Sequence, residues 1–145
     1  MQAFVAGANG KLSSAVGEVS SGGAGPAHGT VLSTGEMAVF NYDSGNGRII
    51  PIGADLKTFD NSHAVTITFP VPSDDISRPH EAVEHNGEVF VPDLGGDTVY
   101  RLSKNGTWKI TGSIPQPVGS GPRHVAFYGE HFECSIILCL TCIVR

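Results

Sequence analysis

The sequence predicts an all-β fold, and three observations lead there. Short apolar runs alternate with turn signals, and long helical periodicity is absent. Glycine is unusually frequent, at 19 of 145 residues. A pattern also repeats: His28, His80 and His124 recur at intervals of 52 and 44 residues, each just after a proline and before an apolar run. Four-stranded units of about 40–50 residues are the repeat of a propeller blade. The expected architecture is a partial β-propeller of about three four-stranded antiparallel blades.

The elements justify this in order. Residues 1–10 (MQAFVAGANG) start in an apolar run and read as the last strand of an incomplete blade. Residues 13–25 are small and polar, a loop or weak strand. After Gly25-Pro26-Ala27-His28 comes an apolar run, then a strand at 37–42 (MAVFNY) and a turn at 43–47 (DSGNG). Strands at 48–52 (RIIPI) and 63–69 (HAVTITF) complete the unit. The second unit opens at Arg78-Pro79-His80, with strands at 81–85, 88–92 and 98–102. Asn86-Gly87 joins the first two, since both residues tolerate positive φ. Gly95-Gly96-Asp97 makes the next turn, and Asn105-Gly106 leads into 107–111 (TWKIT). The third unit begins at Pro122-Arg123-His124.

Composition excludes several classes. A net charge of −5 without a basic stripe argues against nucleic-acid binding. No stretch reads as a signal peptide and no run reaches the roughly 18 apolar residues of a membrane span, so a cytoplasmic protein is expected. The glycine clusters at 7–10 and 95–96 lack the strand-then-helix setting of a nucleotide cradle. Asn105-Gly106-Thr107 is a glycosylation sequon, better read as a hairpin turn. The three cysteines lie in the last dozen residues and build no disulfide framework. His131, Cys134, Cys139 and Cys142 have zinc-like spacing, but the intervening residues are strand-like, whereas zinc knuckles use tight turns. No metal and no cofactor is expected.

RPHEAV followed by VFVPDLGGDTVYRL resembles the lactonase-type β-propellers, the family of propeller 6-phosphogluconolactonases and fungal carboxy-muconate lactonizing enzymes (cyclases). GSGPRHVAF (119–127) and GAGPAHGTV (25–31 in its core) resemble neighbouring inner strands of the same family. The Gly-His and Trp-Asp signatures of the commonest propeller repeat are absent. The resemblance implies seven blades, yet about three fit here, and three cannot close a ring. The chain is therefore expected to be a fragment: residues 1–129 a partial propeller, 130–145 an atypical apolar, cysteine-containing tail. That tail lacks the alternation of another hairpin, as translation through an intron or out of frame would produce; a buried strand of an unusual last blade is the alternative.

In a propeller the first strand of each blade lines the central channel, so residues just before those strands meet at one mouth. His28, His80 and His124, with Arg78 and Arg123, are expected to form a ring there. Arginine holds carboxylate or phosphate bidentately, and histidine moves protons near neutral pH. Cationic donors also stabilise the oxyanion of an opening lactone. Candidate catalytic residues are His80, Arg78, His124, Arg123, Glu81 and His28. Glu81 is either an acid–base group or an arginine's ion-pair partner, and His80 could instead fix the turn. Asp93 reads as a turn cap that could face the channel, and His63, His85 and His131 as surface or strand residues. The resemblance implies a small acidic lactone or muconate as substrate. A non-catalytic binding scaffold is the alternative. Open sheet edges would favour self-association and leave a lone fragment inactive.

Overall fold

The computed structural model describes residues 1–70, 76–129, 131–136 and 142–144, the last two stretches as backbone only. β1 (Gln2–Ala3) and β2 (Gly17–Glu18) pair as a short ribbon. The first four-stranded sheet is β3 (Pro26–Val31), β4 (Glu36–Asn41), β5 (Asn46–Pro51) and β6 (Val65–Thr68). The second is β7 (Val83–His85), β8 (Glu88–Asp93), β9 (Thr98–Asn105) and β10 (Thr107–Pro115). β11 (Pro122–Tyr128), β12 (His131–Ile136) and β13 (Cys142–Val144) form the third, with three strands among the described residues. In each sheet the strands lie in chain order and pair antiparallel. This is the expected partial propeller. The zinc-like set His131, Cys134, Cys139 and Cys142, and the character of 130–145 as a tail, lie outside the residues whose side chains are described.

Local chemistry sets the turns. Asn86 and Gly87 have φ of 50° and 78°, the pair of left-handed residues that a two-residue hairpin requires. The run expected as a strand at 63–69 begins two residues later. The Asp60 side chain caps a 3-10 turn at Asn61–His63 by accepting from the backbone N–H groups of Ser62 and His63. β9 and β10 run longer than expected because their pairing continues past Leu102, across a bulge between Ile110 and Gly112. At Gly95 a Cβ would sit 1.8 Å from the Ile76 carbonyl oxygen, so only glycine lets the two loops approach.

The sheets stack face to face. Ala38, Phe40, Ile49 and Ile67 on one face of the first sheet pack with Ala82, Val89, Val91, Tyr100, Leu102 and Trp108 of the second. Phe90 and Val99, on the second sheet's other face, pack with Val125 of the third. Val39 and Ile50, on the near face of the first sheet, are covered by Val19 and Met1. Each fully buried Phe or Ile contributes about 1.5–3 kcal/mol through burial. Polar contacts tie the first two sheets. Buried Glu36 accepts from Trp108 Nε1 at 2.7 Å and Lys104 Nζ at 3.0 Å, while Glu84 accepts from Ser33 N and Oγ at 2.7 and 2.6 Å.

Candidate functional site at the inner-strand mouth

Three prolines set the geometry. Pro26 pairs with Asn41, Pro79 with Asp93 and Pro122 with Ile136, each at the start of an inner strand. In the first and third sheets a bulge follows, and the residue two after the proline resumes the ladder: His28 opposite Phe40, His124 opposite Ser135. In the second sheet the Val83–Phe90 pair and the Pro79–Asp93 bridge require the same one-residue offset. Glu81 therefore corresponds to His28 and His124, whereas His80 corresponds to Ala27 and Arg123. This corrects the expectation that the three histidines are equivalent: their spacing follows the repeat, but His80 stands one place earlier, inside the bulge.

The consequences are visible in the contacts. His28 Nδ1 accepts from the N–H of Ala82 in the next sheet at 3.2 Å. Glu81 Oε2 accepts from the N–H of Val125, again in the next sheet, at 2.7 Å. One device thus occurs twice: a side chain two after the proline satisfies the N–H three after the following proline. Glu81 Oε1 also lies 3.3 Å from His124 Nδ1, so the side chain it faces is a histidine rather than an arginine. Glu81→Ala is expected to leave the Val125 N–H unanswered and to cost roughly 1–3 kcal/mol; urea denaturation would measure it.

His80 and His124 meet at the mouth with ring centroids 5.0 Å apart and planes at 72°. Arg123 Nη1 donates to His124 Nε2 at 2.7 Å. Behind His80 stands Tyr42, edge-on at 6.1 Å, and the Arg78 guanidinium lies 5.0 Å from the Tyr42 ring centroid. Arg78, His80, Arg123 and His124 therefore form one continuous group. Neither guanidinium has a carboxylate partner among the described residues. His80 Nδ1 is buried without a hydrogen-bond partner. Burial lowers the His80 pKa below its ordinary 6.5, charge interactions with Arg123, His124 and His28 lower it further, and Glu81 opposes them. Tyr42 was not legible as a site residue; its only signal was its position at the end of the MAVFNY run.

Asp93 is fully buried and supports the group from below. It accepts from Ser77 Oγ at 2.6 Å and from the N–H groups of Arg78, Gly95 and Gly96 at 2.6, 3.1 and 3.0 Å. Four donors on one carboxylate satisfy it and fix the backbone under Arg78. It caps the turn, as expected, and also ties that turn to the Ser77–Arg78 segment. Asp97 acts similarly across sheets, accepting from Gly119 N at 2.6 Å and Gly121 N at 2.9 Å, which places the segment leading to Arg123. In the third sheet Ile136 holds the register position of Asn41 and Asp93, and Ser120 Oγ is buried without a partner. His63 and His85 lie away from the group: His63 pairs with Asp60, and His85 stacks on Phe127. Among the described residues no cluster of His, Cys, Asp and Glu could hold a metal ion, and no helix is long and apolar enough to cross a membrane.

Residues 1–133 match the family described as lactonase, 7-bladed β-propeller. The chain belongs to that family. Similar solved structures agree on the fold of this lactonase-family chain. The periplasmic gluconolactonase of Pseudomonas aeruginosa superposes with a TM-score of 0.71 at 20% identity, covering 88% of this chain and 39% of that one. A putative 6-phosphogluconolactonase from Bacteroides uniformis gives 0.72 at 19%, covering 88% and 40%, and one from Bacteroides fragilis 0.71 at 21%, covering 93% and 43%. The lactonase-family chain thus spans about two-fifths of the length of these structures. No curated protein matches it significantly.

Proposed function

We propose that this lactonase-family chain carries one side of a lactone-processing active site, and that its substrate is a small lactone bearing a carboxylate or phosphate. The observation that supports this most is the joined group Arg78, His80, His124 and Arg123, with two guanidiniums free of carboxylates among the described residues. Guanidiniums of that kind suit an anionic substrate. His80, kept neutral at pH 7 by its lowered pKa, is suited to take a proton from a water molecule as the water's oxygen adds to the lactone carbonyl. Arg123 or Arg78 would face the oxyanion. Collapse would break the ring C–O bond, and the proton would pass to the departing ring oxygen. Closing a carboxylated muconate into a lactone, with proton delivery to carbon, would use the same groups and is the alternative reaction. His28 and Glu81 serve in this reading as the links that hold neighbouring inner strands. One relative is described as periplasmic, so compartment does not follow from the family.

The test is binding and turnover by the 145-residue chain. 6-Phosphogluconate, the product-like ligand, is expected to shift amide resonances at 78–80 and 123–124 in a saturable NMR titration. Combined Arg78→Ala and Arg123→Ala changes are expected to weaken binding about a hundredfold, roughly 1.4 kcal/mol for each guanidinium lost. Lactone hydrolysis by the chain is expected to be at background, because much of the ring is missing. Saturable binding that ignores both substitutions would favour the scaffold reading instead, and rapid turnover by a monomer would overturn the expected inactivity.

A further inference from the structure

The two guanidiniums join the mouth group by different routes. Arg123 enters through His124, to whose Nε2 it donates, and the His124 ring meets His80 at 5.0 Å. Arg78 enters through Tyr42, whose ring centroid lies 5.0 Å from the guanidinium carbon, with the cation over the ring face. Of the charge interactions that lower the His80 pKa, the one with Arg123 is the largest. Tyr42 follows β4 of the first sheet and Arg78 precedes β7 of the second, so they meet where two four-stranded sheets join. Local chemistry brings them together. The Tyr42 N–H donates to the Gly25 carbonyl at 2.7 Å, which pins the residue. The turn that follows comes against Ser77: a Cβ on Gly45, at a φ of 63°, would lie 2.7 Å from the Ser77 carbonyl oxygen.

Held this way, Arg78 is open to an anion. Its backbone N–H is fixed on Asp93, and that carboxylate is already satisfied by Ser77 and three backbone donors. Asp43, the acid next to Tyr42, stands instead against Gly25, with Oδ2 2.4 Å from where a Cβ would be. No described carboxylate pairs with the Arg78 side chain. A π-face attracts a guanidinium without offering oxygen acceptors to its N–H groups, so the fork stays available for a carboxylate or phosphate. The ring also limits where this long side chain can point, which lowers the ordering cost of binding. Oxyanion stabilisation makes a different demand: its donor must sit beside the group that handles the proton. Arg123, joined to the paired imidazoles, meets that demand.

We infer that Arg78, positioned by Tyr42, receives an anionic substituent of the substrate remote from the lactone carbonyl, a phosphate or a carboxylate, and that Arg123 faces the oxyanion. The inference rests on the reading of this mouth as a lactone site, and it gives the site a direction. The substrate lies along the line from Arg78 past Tyr42 to His80, His124 and Arg123, with its charged tail at the first and its reacting carbonyl at the last three. Binding energy from the remote anion then holds the carbonyl against His80. Tyr42 is a positioning residue in this scheme, since it acts through Arg78.

Titration of the 145-residue chain with three sugar acids, followed by NMR, tests it. Gluconate carries only the carboxylate that a lactone carbonyl becomes. Glucarate adds a carboxylate at the far end, and 6-phosphogluconate a phosphate. Glucarate or 6-phosphogluconate is expected to bind about tenfold more tightly than gluconate, and the tighter of the two names the substituent. Arg78→Ala is expected to remove that gain and to change gluconate binding by less than about twofold, whereas Arg123→Ala weakens all three by about tenfold. Tyr42→Leu is expected to lose about fivefold of the gain, and Tyr42→Phe to keep it. Circular dichroism checks folding, and Arg78→Gln carries the same expectation should Arg78→Ala not fold. Gluconate that fails to bind or binds as tightly as both others, a loss at Arg78 shared equally by all three acids, or a folded Tyr42→Leu that binds like the parent would each overturn the inference while the reading of the mouth stands. Absence of binding by all three overturns both.

Discussion

Asp93→Ala is expected to lower the stability of the chain by roughly 3–5 kcal/mol, because it leaves a buried hydroxyl and three backbone N–H groups without their acceptor. The carboxylate is fully buried, so water cannot replace it. A loss of that size is a large share of what a small β domain has. The same substitution should loosen Arg78, whose N–H is held at 2.6 Å. Ligand shifts at 78–80 should therefore fade more than those at 123–124. Asp93→Asn is the informative companion. Asn41 holds the equivalent position in the first sheet, donating from Nδ2 to the Ser21 carbonyl at 2.9 Å, so an amide fits such a site. An amide oxygen can still take the three N–H bonds, and the cost should fall to about 1 kcal/mol. Urea denaturation followed by circular dichroism measures both. An alanine variant as stable as the parent would show that the loop, rather than the carboxylate, holds this corner.

Acid is expected to open the junction between the first and second sheets before the sheets themselves melt. Glu36 decides this. Burial pushes its pKa up, but hydrogen bonds from Trp108, Thr34 and Lys104, with the Lys104 charge, outweigh burial and leave it below the ordinary 4.5. A carboxyl whose pKa is lower folded than unfolded adds stability that is present in full above the unfolded value. That stability is lost as pH falls through the folded one. The junction should therefore hold at neutral pH and weaken below about 4.5. Trp108 is the chain's only tryptophan, so its fluorescence reports this junction alone. A red shift on acidification, ahead of the loss of far-ultraviolet circular dichroism, is the expected result. Glu36→Gln should remove most of the pH dependence and cost roughly 1–3 kcal/mol at neutral pH, as a charged acceptor is replaced by a neutral one. A parent and a glutamine variant with the same acid midpoint would place the acid sensitivity elsewhere.

Much of the architecture can be read from residue order. Asn86-Gly87 announces a hairpin because few residue pairs adopt two left-handed conformations. The alternation in VTIT and in EVFVP assigns faces, and the four-strand repeat assigns units. The grouping of Arg78, His80, Arg123 and His124 also follows from their places before successive inner strands. Register does not follow. The bulge after each proline moves His80 into line with Ala27 and Arg123, and makes Glu81 the counterpart of His28 and His124. Histidine spacing alone concealed this, because a bulge changes which residue faces the neighbour without changing residue type.

Alone, then, the order of residues determined an all-β chain of repeated sheets, the positions of its turns and the basic character of one mouth. Those properties rest on short-range chemistry: positive φ at turn residues, two-residue alternation, and the charge of side chains beside a proline. Tertiary structure alone decided that Tyr42 joins Arg78 to His80, that Asp93 anchors Arg78, and that His28 and Glu81 bind the backbone of the next sheet. Each of these contacts joins groups 15 to 54 residues apart. Which N–H meets which side chain is set only when twisted sheets stack in a fixed register, and no local preference encodes that choice.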